Sequence, residues 1–228
     1  MHKLLAGLVF LVLSGSISAN NVILRTANDG QLLMEDIPPI PESLPQTLSR
    51  YQSIRSARFS EWTKDSKSIF IKTRFGQIDQ LHRVDKPGGA RVQLTFGEEP
   101  VGEINGQPGG RLVAMTRDKG GNEFDQVFVF NPENGLIRKL STGVGLNNRV
   151  IWDRKGEILA YRSTQRNGRS SDIWTQAANG SQPASMVLGT EDGTLWKPVE
   201  FSRDGKLLLI QQFISVADSR VYVKNLVS

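Results

Sequence analysis

The residue types that could carry out acyl transfer are few in this chain. A serine hydrolase needs an imidazole to take the hydroxyl proton, and beyond the first 19 residues the only histidine is His82. An α/β-hydrolase nucleophile also needs a Gly-x-Ser-x-Gly elbow, whose strained turn exposes the hydroxyl beside an oxyanion hole. No such stretch occurs. The nearest serines, Ser170 and Ser171 after Gly168-Arg169 and Ser181 after Gly180, lack the flanking glycines and read as hairpin residues. His82 stands where comparable stretches carry Phe128, Trp174 and Tyr222, so it reads as a structural side chain in an aromatic's place. With one such histidine and no cysteine, metal binding would fall to carboxylates alone, and Glu98-Glu99 and Glu123/Asp125 match no metal-loop spacing. The expectation is a chain with no catalytic residues, no metal and no cofactor.

The elements around these residues repeat. Ser202-Arg203-Asp204-Gly205-Lys206 followed by the apolar run Leu207 to Ile210 is a tight polar turn leading into a strand. The same pattern appears at Asp153-Arg154-Lys155-Gly156, at Gln107-Pro108-Gly109-Gly110 and, weaker, at Lys64-Asp65-Ser66-Lys67. The turn residues Lys67, Gly110, Gly156 and Gly205 are 43, 46 and 49 residues apart. Leu81, Val127, Ile173 and Val221, in the apolar run that follows each turn-strand unit, step by 46, 46 and 48. Gly89, Gly135 and Gly180 in the next turn step by 46 and 45. Units of this length with four short alternating strands predict an all-β fold, a β-propeller segment.

Four units are predicted, over residues 52–100, 101–146, 147–195 and 196–228, the last without its outermost strand. Blades cannot bury their faces alone, so an open arc of four should self-associate, aggregate or be completed by further sequence. An incomplete, truncated propeller is therefore expected.

The first 19 residues run from Lys3 through an apolar stretch, Leu4 to Leu13, to small residues ending at Ala19. About ten apolar residues are too few for a bilayer-spanning helix, which needs about 20, and the pattern predicts a signal peptide. Export to a bacterial periplasm or beyond is expected, with no membrane attachment after cleavage. Residues 20–50 read as a proline-rich arm or linker, because Pro38, Pro39, Pro41 and Pro45 forbid regular strand or helix interiors. A short helix is predicted over Glu42 to Tyr51. The net charge of +5 is scattered rather than clustered, which argues against nucleic-acid binding.

A working surface, if the chain has one, is expected on the hairpins between second and third strands. Arg74, Asn122, Glu123, Arg166 and Asn167 are the candidates for substrate or partner contact, since guanidinium and amide groups on such hairpins suit polar recognition. Ordinary solvated turns are the alternative reading of the same residues.

The turn-strand units resemble the repeats shared by TolB-like propellers and the propeller domain of prolyl oligopeptidase family serine peptidases. The stretches Arg50 to Ala57, Thr73-Arg74-Phe75-Gly76, Gln80 to Val84, Gln93-Leu94-Thr95-Phe96 and Gly120 to Phe124 are similar to the start of exported bacterial peptidases of that family. The resemblance spans nearly all of residues 45–228. It implies a hydrolase domain elsewhere in an intact protein, with the propeller covering its active site and admitting short or unfolded peptides. The partners implied are a peptide substrate and that domain, or a periplasmic protein if the chain is a stand-alone TolB-like binding module. A small-molecule enzyme built on a propeller would need polar residues converging on the channel, which sequence cannot show.

Overall fold

In the computed structural model, which describes residues 22–227, all the long-range order is antiparallel sheet. The chain divides into two units, one up to Pro41 and one from Glu42 onward. The predicted signal peptide lies outside the described residues.

In the first unit, strands β1 (Leu24–Ala27) and β2 (Leu32–Glu35) pair as a hairpin with Leu24 opposite Glu35 and Ala27 opposite Leu32. The segment read as a proline-rich arm or linker thus carries a hairpin ahead of its prolines. The prolines all lie after the hairpin, and the turn Asn28-Asp29-Gly30 supplies three consecutive positive-φ residues, the chemistry a tight reversal needs.

The second unit opens with helix α1 (Ser43–Gln52). Pro45 is tolerated there because the first helical turn has no intrahelical acceptor for its missing N–H. Four meander sheets follow. The first contains β3 (Arg58–Trp62), β4 (Ile69–Thr73), β5 (Gln80–Val84) and β6 (Arg91–Gln93). The second contains β7 (Ile104–Gly106), β8 (Val113–Arg117), β9 (Gln126–Phe130) and β10 (Ile137–Lys139). The third contains β11 (Asn147–Trp152), β12 (Ile158–Ser163), β13 (Asp172–Ala177) and β14 (Ser185–Leu188). The fourth contains β15 (Leu195–Phe201), β16 (Leu207–Ser215) and β17 (Asp218–Asn225). Strands within each sheet pair in sequence order, and no strand pairs between these sheets. The first strands of successive sheets, β3, β7, β11 and β15, are neighbours in space. This is the blade arrangement of an incomplete β-propeller.

The repeat is enforced by two polar devices. At the turn between first and second strands, Thr63, Gln107, Asp153 and Ser202 each accept the backbone N–H five residues on, from Ser68, Leu112, Ile158 and Leu207, at 2.9–3.1 Å. Each also receives a backbone bond at its carbonyl from Ser66, Gly110, Gly156 or Gly205. The turn residue of the first unit is thus Ser66, with φ of 56°, rather than Lys67. Gly156 has the strictest requirement, because its φ is +70° and a Cβ would lie 2.6 Å from Gln107 Cγ and 3.0 Å from Pro108 O.

The second device starts each third strand. Gln80 and Gln126 accept the hydroxyls of Thr95 and Ser141, both at 2.7 Å, and those hydroxyls accept from Leu81 N and Val127 N, both at 3.0 Å. In the third sheet Asp172 takes this place, accepting from Thr190 N at 2.8 Å. Gln80, Gln126 and Asp172 recur every 46 residues, and each ties a third strand to the connection leading to the next sheet.

Three apolar clusters fill the spaces between consecutive sheets. Phe70 and Leu81 meet Val113, Met115 and Phe130. Ala114, Val127 and Val129 meet Trp152, Leu159 and Tyr161. Ala160 and Ile173 meet Phe201, Leu208 and Ile210. Leu81, Val127 and Ile173 occupy one repeat position and are fully buried, each contributing on the order of 2 kcal/mol by its removal from water.

Candidate functional site

The first strands of all four sheets border one cleft of about 510 Å³. Its wall follows from the repeat. Counting four residues back from each turn acceptor gives Phe59, Glu103, Arg149 and Pro198, and all four line the cleft. Lys72, Asn105, Lys197 and Gln211 add polar groups.

The charges here are held by neighbouring sheets. Glu103 accepts from Val150 N at 3.2 Å and lies 3.6 Å from the Arg149 guanidinium, joining second sheet to third. Lys72 Nζ donates to Gly102 O at 2.6 Å, joining first to second. Arg162 is buried and its Nε has no partner. Burial, and then the repulsion of Arg149, lower its affinity for a proton, with Glu103 opposing. Ser60 Oγ, on the cleft wall, and Asn148 Oδ1, on β11 beside Arg149, are likewise buried without partners. Buried polar groups left unpaired by protein normally pair with water or a ligand. Close to this cluster, burial followed by the Asp118 and Glu103 carboxylates pushes Asp125 up to about 6, against a hydrogen bond from Thr116 and the Lys72 charge. The cleft therefore offers cationic and amide donors with a single internal carboxylate, an arrangement suited to holding a carboxylate-bearing or backbone-rich ligand in an extended form.

A larger groove of about 870 Å³ lies at the opposite ends of the strands, between the turns of the first and second sheets. Its main charges are already paired, Arg83 with Asp85 at 2.7 Å and Arg111 with Glu133 at 2.6 Å. The axial cleft, bordered by the first strands of all four sheets, is the better candidate.

The five residues expected on the hairpins do stand on the hairpins between second and third strands, and none lines the cleft. Arg74 donates to the carbonyls of Gln52 and Ile54, clamping the end of α1 to the β4–β5 hairpin. Asn122 Oδ1 accepts Phe124 N at 2.9 Å and fixes its own hairpin. Glu123 has φ of 62° and an exposed side chain. Arg166 donates to both oxygens of Asp172, at 2.7 and 3.1 Å, and to Thr190 O. Asn167 Oδ1 accepts Arg169 N and Ser170 N. Four of the five thus shape the hairpins they sit on. Lys72, Glu103, Arg149 and Lys197 were not singled out from sequence. The signal that finds Glu103 and Arg149 is the turn register, four residues before the acceptor.

His82 is fully buried on β5, with Nδ1 3.0 Å from Gln80 O, Nε2 unpartnered and Phe75 edge-on at 4.8 Å. Burial is the main cause holding its pKa below the usual histidine range. It pairs with Ile71 as Phe128 does with Met115, Trp174 with Tyr161 and Tyr222 with Ile210. Among the described residues, no group of three or more His, Cys, Asp or Glu is placed to hold a metal ion.

No protein-family model matches the chain, and no curated protein matches it in sequence. Solved structures do match in fold. TolB from Acinetobacter baumannii superposes with a TM-score of 0.54 at 16% identity, over 91% of this chain and 47% of that one. A prolyl endopeptidase gives 0.61 at 14% identity, over 93% and 38%. The putative TolB from Agrobacterium tumefaciens gives 0.58 at 16% identity, over 90% and 76%. The chain thus spans less than half of the first two, and the likeness is one of fold.

Proposed function

We propose that the chain is the non-catalytic propeller portion of a prolyl oligopeptidase family peptidase, which contacts peptide in the axial cleft and gates its passage to a hydrolase domain. The observation that carries this reading is the cleft itself, bordered by four inner strands and lined by Lys72, Arg149, Lys197 and the unpartnered Ser60 hydroxyl. An extended peptide presents backbone donors and acceptors to Ser60, Asn105 and Gln211 and its terminal carboxylate to the Arg149 and Lys197 side. His82 cannot serve as a base where it is buried against Phe75. The apolar run Leu4 to Leu13 followed by small residues supports export, and among the described residues no helix is long and apolar enough to cross a membrane.

The test is calorimetric titration of the mature chain with a proline-containing decapeptide, alongside a chromogenic prolyl-peptide assay. Binding without cleavage is expected, weakened at least tenfold by Arg149→Glu and by amidation of the peptide's carboxyl end. Cleavage by purified protein overturns the non-catalytic assignment, and absence of binding overturns the peptide-contact role. The second reading is a TolB-like module that binds a folded periplasmic protein. It is favoured by the 76% of the Agrobacterium protein that the chain spans, and it predicts no affinity for the decapeptide.

A further inference from the structure

Nine residues after each turn acceptor come Lys72, Thr116, Arg162 and Gln211, on the second strands β4, β8, β12 and β16. Lys72 and Gln211 line the axial cleft. Thr116 accepts the backbone N–H of Glu103, itself a cleft residue, at 2.9 Å. Arg162 holds this inward position in the third sheet. Its register gives the same direction. Arg162 stands opposite Asn148 as Ala160 stands opposite Ile151, and alternate residues of a strand share a face. Ile151 borders the cleft and packs with Ala160 into the cluster between third and fourth sheets. Arg162 is therefore on the face turned to the fourth sheet, whose Lys197 borders the same cleft.

Lys72, at the same repeat position, gives its charge to Gly102 O at 2.6 Å. Arg162 has no such acceptor. The residue is 8% exposed, its Nε is sealed from solvent, and among the described residues its side chain makes no hydrogen bond or ion pair. The Arg149 guanidinium repels it, and Glu103, the carboxylate that attracts it, already serves Val150 N and Arg149. Arg149 itself sits in the irregularity between Asn148 and Ile151 with φ of 58°, and bulges of this kind re-aim side chains beside sites. A buried guanidinium without an acceptor costs the fold stability. The missing partner has to be negative and has to reach the cleft wall.

We propose that Arg162, Arg149 and Lys197 form an oxyanion site where the third and fourth sheets meet, with Arg162 as its buried anchor and a carboxylate or phosphate group as its occupant. A guanidinium presents paired N–H donors that match two oxygens of either group. The occupant supplies the acceptors that the fold withholds from Arg162 and neutralises its repulsion with Arg149. A peptide's terminal carboxylate is one source of such a group. The site does not depend on peptide binding, because a free inorganic anion satisfies the same donors.

Thermal melts of the mature chain in phosphate, with sodium chloride at equal ionic strength as control, test this. Phosphate at about ten times its dissociation constant should raise the melting temperature by about 3–6 °C relative to chloride. Arg162→Met should melt no lower than the parent chain in chloride, since an unpaired buried charge gives way to an apolar side chain, and should lose the phosphate response. Absence of a phosphate shift in the parent chain, or an undiminished shift in folded Arg162→Met, overturns the proposal. Arg149→Gln changes a half-exposed side chain, so the fold should persist while phosphate affinity falls at least threefold; unchanged affinity removes Arg149 from the site. Phosphate should also displace the decapeptide, and peptide binding undiminished at saturating phosphate overturns the terminal carboxylate as an occupant. The melts contain no peptide, so failure of this site and failure of peptide contact are read separately.

Discussion

The hydroxyl of Ser141 donates to Gln126 Oε1 across 2.7 Å while accepting from Val127 N at 3.0 Å. Thr95 and Gln80 repeat that bond in the preceding sheet. Because the donor, acceptor and backbone amide are all buried, removing the hydroxyl strands an N–H away from water. Ser141→Ala should cost about 1–3 kcal/mol in urea unfolding, and Ser141→Thr should recover most of it, since threonine serves in the first sheet.

The two turn glycines with φ near +70° separate backbone strain from crowding. Gly205 has nothing within 4 Å of its would-be Cβ, whereas at Gly156 the Gln107 side chain and Pro108 carbonyl stand in the way. Gly205→Ala should cost about 1 kcal/mol from conformation alone. Gly156→Ala should cost about 1–2 kcal/mol more, read as the difference between two denaturation midpoints with equal slopes.

Asp125, raised to about 6, binds its proton more tightly in the folded chain than in the unfolded one. Its contribution therefore favours folding at low pH and is lost as the pH rises from about 4 through 6. Asp125→Asn should remove that loss and stabilise the protein at pH 7 by about 1–2 kcal/mol, discounted for partial exposure. Thermal melts of both proteins across pH 4 to 7 should converge at the acid end.

His82 acts with the opposite sign. Its folded pKa lies below that of the unfolded chain, so below about pH 6.5 the unfolded state takes up a proton that the native state refuses, and stability falls on acidification. His82→Phe, copying Phe128 of the second sheet, should raise the melting temperature at pH 7 by removing the orphaned Nε2, worth about 1 kcal/mol. The advantage should widen towards pH 5.5, and a pH-independent difference would mean that His82 takes up its proton equally well in the folded and unfolded chains.

The period of the sheets was legible because each turn needs a tight reversal and each second strand is apolar on both faces, so glycine and β-branched residues mark it in the sequence. The hairpin at Leu24 to Glu35 carried its own sign, Asn28-Asp29-Gly30 between two runs containing leucine, but the prolines after it dominated the reading. The polar braces were hidden because Gln80 and Thr95 are joined by side chains across 15 intervening steps of chain, a distance at which no local pattern forms. For the site, expectation settled on Arg74, Asn122, Glu123, Arg166 and Asn167 in the hairpins, whereas the cleft is lined by other residues. The cleft residues sit on short, polar first strands such as Ile104–Gly106, whose place on the axis is decided by packing between sheets rather than by local composition.

Threonine, glutamine, aspartate and serine all fill the acceptor post at the turn, each delivering an oxygen to the same amide. Mutational drift at that column is consequently almost free, provided an oxygen of suitable reach survives. Over long lineages the letters of such a module erode much faster than its shape, and the sister units within a single gene end up as strangers to one another in spelling while still stacking alike.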